Sequence, residues 1–271
     1  MSAALAKLRA AEARTGAMLS VGLEPCPEYQ FGGLPATLDG YEQALHAIVD
    51  ATRGIAAAYK FNLAFFEALG PGGFALLHRV RAALPVEAVV IADAKRSDIG
   101  SSAARYAQAL YGELGADCVT VNPLMGRDSV EPFLAYEDRL TILLCLTSNP
   151  GACDFLVPGR LYRHIAEKAV EWSGGRGNCG LVVGATQPGS VAEIRAAAGD
   201  LPFLIPGVGA QGGTIEQVVR DGRIGAEFSG LLFHVTRGIL PRADEAGEAA
   251  EVIRRKAGEW QRRIADALKE A

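Results

Sequence analysis

Short runs of apolar, β-prone residues recur along the chain, and longer segments with apolar positions at helical spacing separate them. The short runs predict buried strands and the longer segments predict amphipathic helices. The eight predicted strands are Met18–Gly22, Ala57–Leu63, Val89–Ala92, Cys118–Asn122, Thr141–Leu146, Gly180–Gly184, Phe203–Pro206 and Phe228–Val235. Strands that alternate with helices indicate βαβ units and therefore a parallel sheet.

Helical periodicity is found between most of the predicted strands and at both ends of the chain. The predicted helices include Met1–Gly16, Gly40–Arg53, Phe74–Ala83, Ser102–Leu114, Leu161–Ser173, Ser190–Ala198, Thr214–Arg220 and Pro241–Ala271. We therefore expect an α/β fold, a (β/α)₈ barrel, for which 271 residues is an ordinary length. An open doubly wound sheet is the alternative, but the first strand lacks the G-x-G-x-x-G that nucleotide-binding sheets of this kind carry. Without a linker or low-complexity segment, residues 1–271 are expected to form a single domain.

The composition limits the classes of partner and the compartment. The net charge is −4, with 27 Lys+Arg against 31 Asp+Glu, which disfavours non-specific binding to nucleic acid or membranes. The five cysteines form no C-x-x-C pair and indicate free thiols in a reducing compartment. Neither a signal peptide nor an apolar run near the ~18 residues of a membrane span is evident, so we expect a cytoplasmic protein.

Charged residues follow the third predicted strand, where a barrel gathers its functional groups. Asp93 and Lys95 are two residues apart, so on an extended strand they share the face at the barrel mouth. Asp98 adds a second carboxylate within one turn. A charge pair that only closes the barrel is the alternative interpretation.

The second predicted strand places Lys60 and Asn62 on one face, within an otherwise apolar run. A lysine in this position favours a functional role. One alternative is a lysine whose charged end reaches the rim. Another is a desolvated, nucleophilic lysine that forms a Schiff base.

Three loops at the same end of the barrel suit a phosphorylated ligand. Residues Gly207–Gly213 follow the seventh strand and Arg237 follows the eighth, a common arrangement for phosphate binding in barrels. Ser148, after the fifth strand, suits contact with a polar heterocycle, although turn and capping chemistry would explain it equally well. The four histidines show no metal-binding spacing, so no metal site is predicted.

These residues together resemble the orotidine 5′-phosphate decarboxylase family, in its bacterial type 2 branch. Asp93–Ser102 is similar to the family signature D-x-K-x-x-D. The further matching segments are Val21–Pro25, Lys60–Glu67, Thr147–Gly151, Gly207–Gly213 and Thr236–Gly238. D-x-K-x-x-D alone is shared with keto-gulonate-phosphate decarboxylases and hexulose-phosphate synthases, whereas K-F-N-L-A-F-F-E and T-S-N-P-G are more specific.

The resemblance implies decarboxylation of orotidine 5′-monophosphate (OMP) to uridine 5′-monophosphate (UMP) by a homodimer, with neither metal nor cofactor. Lys95 would protonate C6 of the pyrimidine, Asp93 would lie beside the departing carboxylate, and Lys60 would order the charges. Asp98 would reach across the dimer interface into the neighbouring site. The implied substrate-binding residues are Glu24, Asn62, Ser102, Ser148, Gln211 and Arg237.

Three residues depart from the family pattern. Glu24 replaces the usual Asp, Ser102 replaces a frequent Thr, and Leu156 stands where a polar residue is usual. Because an acid at position 24 could help to bind a metal, a Mg²⁺-dependent sugar-phosphate decarboxylase or synthase is the main alternative. A class I aldolase that uses Lys60 and a catalytically inactive phosphate-binding barrel are the other two.

Overall fold

The computed structural model confirms the predicted barrel. It describes residues 1–29, 31–185, 187, 189–207, 214–242, 245 and 248–271. Within these residues the strands are Leu19–Leu23 (β1), Ala58–Asn62 (β2), Val89–Arg96 (β3), Cys118–Val121 (β4), Leu140–Leu146 (β5), Cys179–Val183 (β6), Phe203–Pro206 (β7) and Leu231–Val235 (β8). They form one closed sheet in chain order, in which β8 pairs with β1 in parallel. The open-sheet alternative is therefore excluded.

Helices surround the barrel. In the described ranges they are Ala3–Thr15 (α1), Leu38–Thr52 (α2), Leu63–Glu67 (α3), Gly70–Ala82 (α4), Gly100–Ala107 (α5), Arg127–Leu134 (α6), Ala152–Phe155 (α7), Leu161–Ser173 (α8), Ser190–Ala198 (α9), Ile215–Gly222 (α10) and Ala249–Glu270 (α11). Helix α5 continues as a π-helical segment, Gln108–Glu113. Among these described parts of the chain, no helix has the length and apolarity that crossing a membrane requires.

Several predicted boundaries differ from the structure; for example, β3 continues to Arg96 and α4 begins at Gly70, and two further differences have a clear physical cause. The eighth strand begins at Leu231 and not at Phe228, because Gly230 has a φ of +68° and interrupts the extended backbone before it. The last helix begins at Ala249 and not at Pro241. Before it, the N–H of Arg242 donates to the carboxylate of Glu245 at 2.9 Å, and the N–H of Glu245 donates to the carbonyl of Arg242 at 3.0 Å, so a separate turn closed by side-chain and main-chain bonds precedes the helix.

One end of the barrel is closed by α1. Its Leu5 and Leu8 belong to the same buried cluster as Ala58 and Val89, which begin β2 and β3. Lys7 of the same helix pairs with Asp117 at 2.7 Å. The larger core lies between the strands and the outer helices. Because α1 covers the amino-terminal ends of the strands, the carboxyl-terminal ends form the accessible mouth.

We expect Leu8→Ala to lower the free energy of unfolding by about 2–5 kcal/mol, because it leaves a cavity in this closed end. Leu8 is 2% exposed. Val86→Ala is the control, since Val86 is 88% exposed and should change stability by less than about 0.5 kcal/mol. Urea unfolding measures both variants, and equal losses would contradict the role given to α1.

Candidate active site

Asp93 lies near the carboxyl-terminal end of β3 between two ammonium groups. Its Oδ2 accepts a hydrogen bond from Lys60 Nζ at 2.7 Å, and its Oδ1 accepts one from Lys95 Nζ at 2.6 Å. Burial alone would raise the pKa of the Asp93 carboxyl. The charges and hydrogen bonds of Lys60 and Lys95 outweigh burial and hold that pKa well below its usual range. Asp93 is therefore ionised at neutral pH.

The predicted neighbours Asp93 and Lys95 meet, but not through simple strand alternation. The ladder between β3 and β4 pairs Ala92 with Val119 and then Arg96 with Val121, so β3 bulges between these pairs. Within the bulge Lys95 has a φ of +49°, a left-handed conformation that costs a non-glycine residue roughly 1 kcal/mol. The bulge therefore positions the Lys95 side chain, half of which is exposed at the mouth.

Thr120 on β4 was not predicted as a site residue, because in the sequence it resembles an ordinary strand residue. Its buried hydroxyl donates to Asp93 Oδ1 at 2.9 Å and accepts from the backbone N–H of Lys95 at 3.0 Å. The site thus contains a third partner for the Asp93 carboxylate.

A cleft of about 390 Å³ opens beside this charged group. Its lining includes five of the predicted residues: Glu24, Lys60, Asn62, Ser148 and Arg237. Asp93 and Lys95 do not line it themselves and adjoin it through Lys60, whose Nζ donates to Asp93. It also includes Tyr29, Phe65, His234 and Trp260, which sequence reasoning did not assign to a site. Most of these residues lie at the carboxyl-terminal ends of strands or in the loops that follow, as is usual at the mouth of a barrel, whereas Trp260 lies on α11.

A chain of hydrogen bonds runs along one wall of the cleft, from Glu24 to Ser20. Thr236 Oγ1 donates to Glu24 Oε1 at 3.5 Å and lies 3.2 Å from His234 Nε2. His234 Nδ1 lies 3.2 Å from Ser20 Oγ. Gly22 leaves room for this chain, because a Cβ there would lie 2.0 Å from Thr236 Oγ1.

This wall has shifted acid–base properties. Burial raises the pKa of Glu24 above its usual range, and the neighbouring charge of Lys60 partly offsets that rise. Burial also lowers the pKa of His234 well below its usual range, and the charge of Lys60 lowers it further. His234 is therefore neutral beside the cationic Lys60.

The predicted phosphate end of the cleft is only partly described. Gly207 has a φ of +73°, and Arg237 begins a 3₁₀ turn after β8. A Cβ at Gly238 would lie 3.1 Å from Trp260 Nε1, so a close fit to the last helix requires glycine there. The predicted Gln211 lies outside the described residues.

Two predicted residues lie elsewhere on the surface. Asp98 precedes α5, and its Oδ1 accepts the N–H of Ile99 at 2.8 Å. Ser102 is exposed on α5 itself. Neither lines the cleft described above. Near them in the chain, the apolar side chains of Ile99 and Tyr106 are exposed, as are those of Leu124 and Met125 in the turn after β4.

Leu156, one of the departures from the family pattern, caps the short helix α7 after β5. It packs against the hydrophobic core, so its apolar side chain has a structural use.

Ser148 precedes this helix, and its backbone lies close to Gly184. A Cβ on residue 184 would come within 2.9 Å of the Ser148 backbone. In the part of the chain that the structure describes, no cluster of three or more metal-binding acids, histidines or cysteines occurs.

Known proteins resemble this chain over nearly its full length. Residues 18–252 match the family model described as orotidine 5′-phosphate decarboxylase / HUMPS family. An orotidine 5′-phosphate decarboxylase of Azoarcus sp. (strain BH72) is 45% identical over 243 residues, covering 86% of this chain and 88% of the relative. The one of Roseiflexus castenholzii is 43% identical over 263 residues, covering 95% and 94%. The structure of Leishmania donovani OMP decarboxylase matches with a TM-score of 0.85 and 35% identity, covering 100% of both chains.

The neutral His234 predicts a pH-dependent stability. In the unfolded chain a histidine binds a proton below about pH 6.5, whereas folded His234 resists protonation. The unfolded state then binds more protons, so this contribution to stability is present above about pH 6.5 and is lost as the pH falls. Between pH 7 and 5.5 the wild type should lose about 1 kcal/mol more than His234→Gln. Urea unfolding across this range measures the difference.

His164→Gln is the matched control, because His164 is exposed on α8. This variant should follow the wild-type dependence on pH. Parallel curves for wild type and His234→Gln would show that His234 is not held neutral.

Proposed function

Because the chain belongs to the orotidine 5′-phosphate decarboxylase / HUMPS family, we propose that Lys60, Asp93 and Lys95 carry out the decarboxylation at the barrel mouth. The enzyme converts OMP to UMP in pyrimidine biosynthesis. The observation that supports these roles is an ionised carboxylate, Asp93, held between two ammonium groups. The relatives at 43–45% identity favour this reaction over the Mg²⁺-dependent sugar-phosphate alternative.

The fixed charge of Asp93 favours loss of the substrate carboxylate. Two like charges about 4 Å apart repel by about 4 kcal/mol at an effective dielectric of 20. The repulsion falls as the C6–carboxylate bond breaks and neutral CO₂ leaves, so it acts on the ground state more than on the transition state.

Lys95 completes the reaction. The electron pair of the broken bond remains on C6, where the Lys95 ammonium stabilises it and then transfers one proton to carbon. Lys95 is half exposed, which supports its reprotonation from water between turnovers. Lys60 keeps Asp93 ionised and contacts the ribose.

Different residues of the cleft contact the base, the ribose and the phosphate of the nucleotide. Ser148 contacts the base, and Glu24 and Asn62 contact the ribose hydroxyls. The longer side chain of Glu24 suits this role because Thr236 fixes its carboxylate. Arg237 binds the phosphate together with the loop that contains Gln211, and this remote contact contributes binding energy that can be used at C6.

We further propose a homodimer in the cytoplasm. Asp98 and Ser102 line no part of the described cleft of their own subunit, and Asp98 would complete the site of the partner. Four exposed apolar residues on α5 or next to α5 and β4 support burial against a second copy: Ile99, Tyr106, Leu124 and Met125. The buried thiols of Cys118, Cys145 and Cys179 fit a reducing compartment.

Lys95→Ala should lower the turnover of OMP by at least about 10³-fold, because both the cation and the proton donor are lost. The loss of orotate absorbance in chelator-treated protein measures the rate, and activity of the treated wild type tests the reaction without added metal. Lys168→Ala is the control, since Lys168 lies on α8 and pairs with Glu171. Full activity of a folded Lys95→Ala variant would rule out the mechanism.

Mixing two inactive variants tests the shared site. In a mixed dimer of Lys95→Ala and Asp98→Ala subunits, one site receives both an intact Lys95 and an intact Asp98 from the partner. Random exchange should therefore restore about a quarter of the wild-type activity. No recovery, with mixed dimers demonstrated by mass spectrometry of tagged subunits, would contradict a site shared between subunits.

A further inference from the structure

Thr120 uses its single hydroxyl group to join the two charged residues of β3. The hydroxyl proton is donated to Asp93 Oδ1 at 2.9 Å, and the oxygen accepts the N–H of Lys95 at 3.0 Å. Thr120 is fully buried, at 0% exposure. A hydroxyl has one proton and two lone pairs, so these two bonds commit it in a fixed direction.

The position of Thr120 opposite the β3 bulge explains why the Lys95 N–H bonds to its side chain. The β3–β4 register passes from Ala92↔Val119 to Arg96↔Val121, so three residues of β3 face a single residue of β4, Thr120. The extra residues of a bulge lose their ladder partners, and a buried backbone N–H needs another acceptor. For Lys95, the side chain of the opposing residue is that acceptor.

Lys95 needs such a restraint because its backbone is strained. Its φ is +49°, and a non-glycine residue keeps this conformation only where surrounding bonds enforce it. The same conformation brings Lys95 Nζ to 2.6 Å from Asp93 Oδ1. The backbone conformation of Lys95 therefore determines the distance between its ammonium group and the Asp93 carboxylate.

We propose that Thr120 is a positioning residue for decarboxylation, whose hydroxyl holds the β3 bulge so that Lys95 and Asp93 stand side by side. This rests on the proposed function of the two residues. Thr120 acts through them and does not need to touch the substrate. Its effect should therefore fall on kcat, since a displacement of about 1 Å in a reacting group can cost 10²-fold in rate.

Thr120→Val and Thr120→Ser separate the hydroxyl from the shape of the side chain. Thr120→Val should lower kcat for OMP by about 10²-fold with KM within about threefold, whereas Thr120→Ser should stay within about fivefold of wild-type kcat. Affinity for UMP, measured by calorimetry, should be unchanged in both, because the ribose and phosphate contacts remain.

Thr141→Val is the matched control. Thr141 is also buried on a strand, at 1% exposure, and its hydroxyl lies 3.1 Å from the hydroxyl of Tyr111. This variant should lose a buried hydrogen bond and some stability while keeping wild-type kcat. If Thr120→Val does not fold, Thr120→Cys against Thr120→Ser provides the same comparison, since they differ only in the sulfur or oxygen atom.

Three kinetic results would overturn the proposal: wild-type kcat in Thr120→Val, equal losses in Thr120→Ser and Thr120→Val, or an equal loss in Thr141→Val. A wild type that does not act on OMP would instead contradict the proposed function. A crystal structure of Thr120→Val tests the positioning without turnover. Lys95 should leave the left-handed region and its Nζ should move beyond hydrogen-bond distance of Asp93, and an unchanged bulge would reject the idea.

Discussion

The contact of Asp93 with two ammonium groups is the interaction on which the site depends. A buried carboxylate is costly unless it is paired, and here Lys60 and Lys95 each donate to a different oxygen of the same group. The pairing keeps Asp93 charged in a place where burial would otherwise favour its neutral form. If Asp93 acts beside the reacting carbon as proposed, its charge there depends on these two positive partners.

The barrel provides the geometry of that contact in two ways. Parallel pairing of β2 and β3 places Asn62 opposite Asp93, so Lys60, two residues earlier, reaches the carboxylate from the neighbouring strand. Lys95 arrives differently, through a bulge on the same strand as Asp93. One cation is therefore fixed by the regular sheet and the other by a local departure from it. In the proposed mechanism, the half-exposed Lys95 is the cation that exchanges protons with water.

The sequence predicted the fold well because apolar periodicity and the alternation of strands and helices are local signals. The grouping of Lys60, Asn62, Ser148 and Arg237 also followed, since the ends of parallel strands meet at one rim, whereas Glu24 was expected only from the family resemblance. The bulge at Lys95 was not predictable from alternation, which assumes an unbroken ladder. Thr120 and His234 were missed as polar partners because each sits in a run that reads as an ordinary strand, and their hydrogen bonds link strands distant in sequence. Boundaries failed at Gly230 and Arg242, where a positive φ and a side-chain turn override helix or strand propensity.

Helix α1 closes the end of the barrel that lies away from the candidate site, so it contributes to stability without contributing to the site. Leu5 and Leu8 pack at the end of the barrel opposite the charged residues. Different parts of the chain therefore stabilise the fold and form the candidate site. Substitutions in α1 can then change the stability of the protein, and with it the amount of folded enzyme, without changing the activity of each folded molecule. Substitutions in α1 can for this reason adapt the unfolding temperature to a new environment while the residues at the barrel mouth stay unchanged.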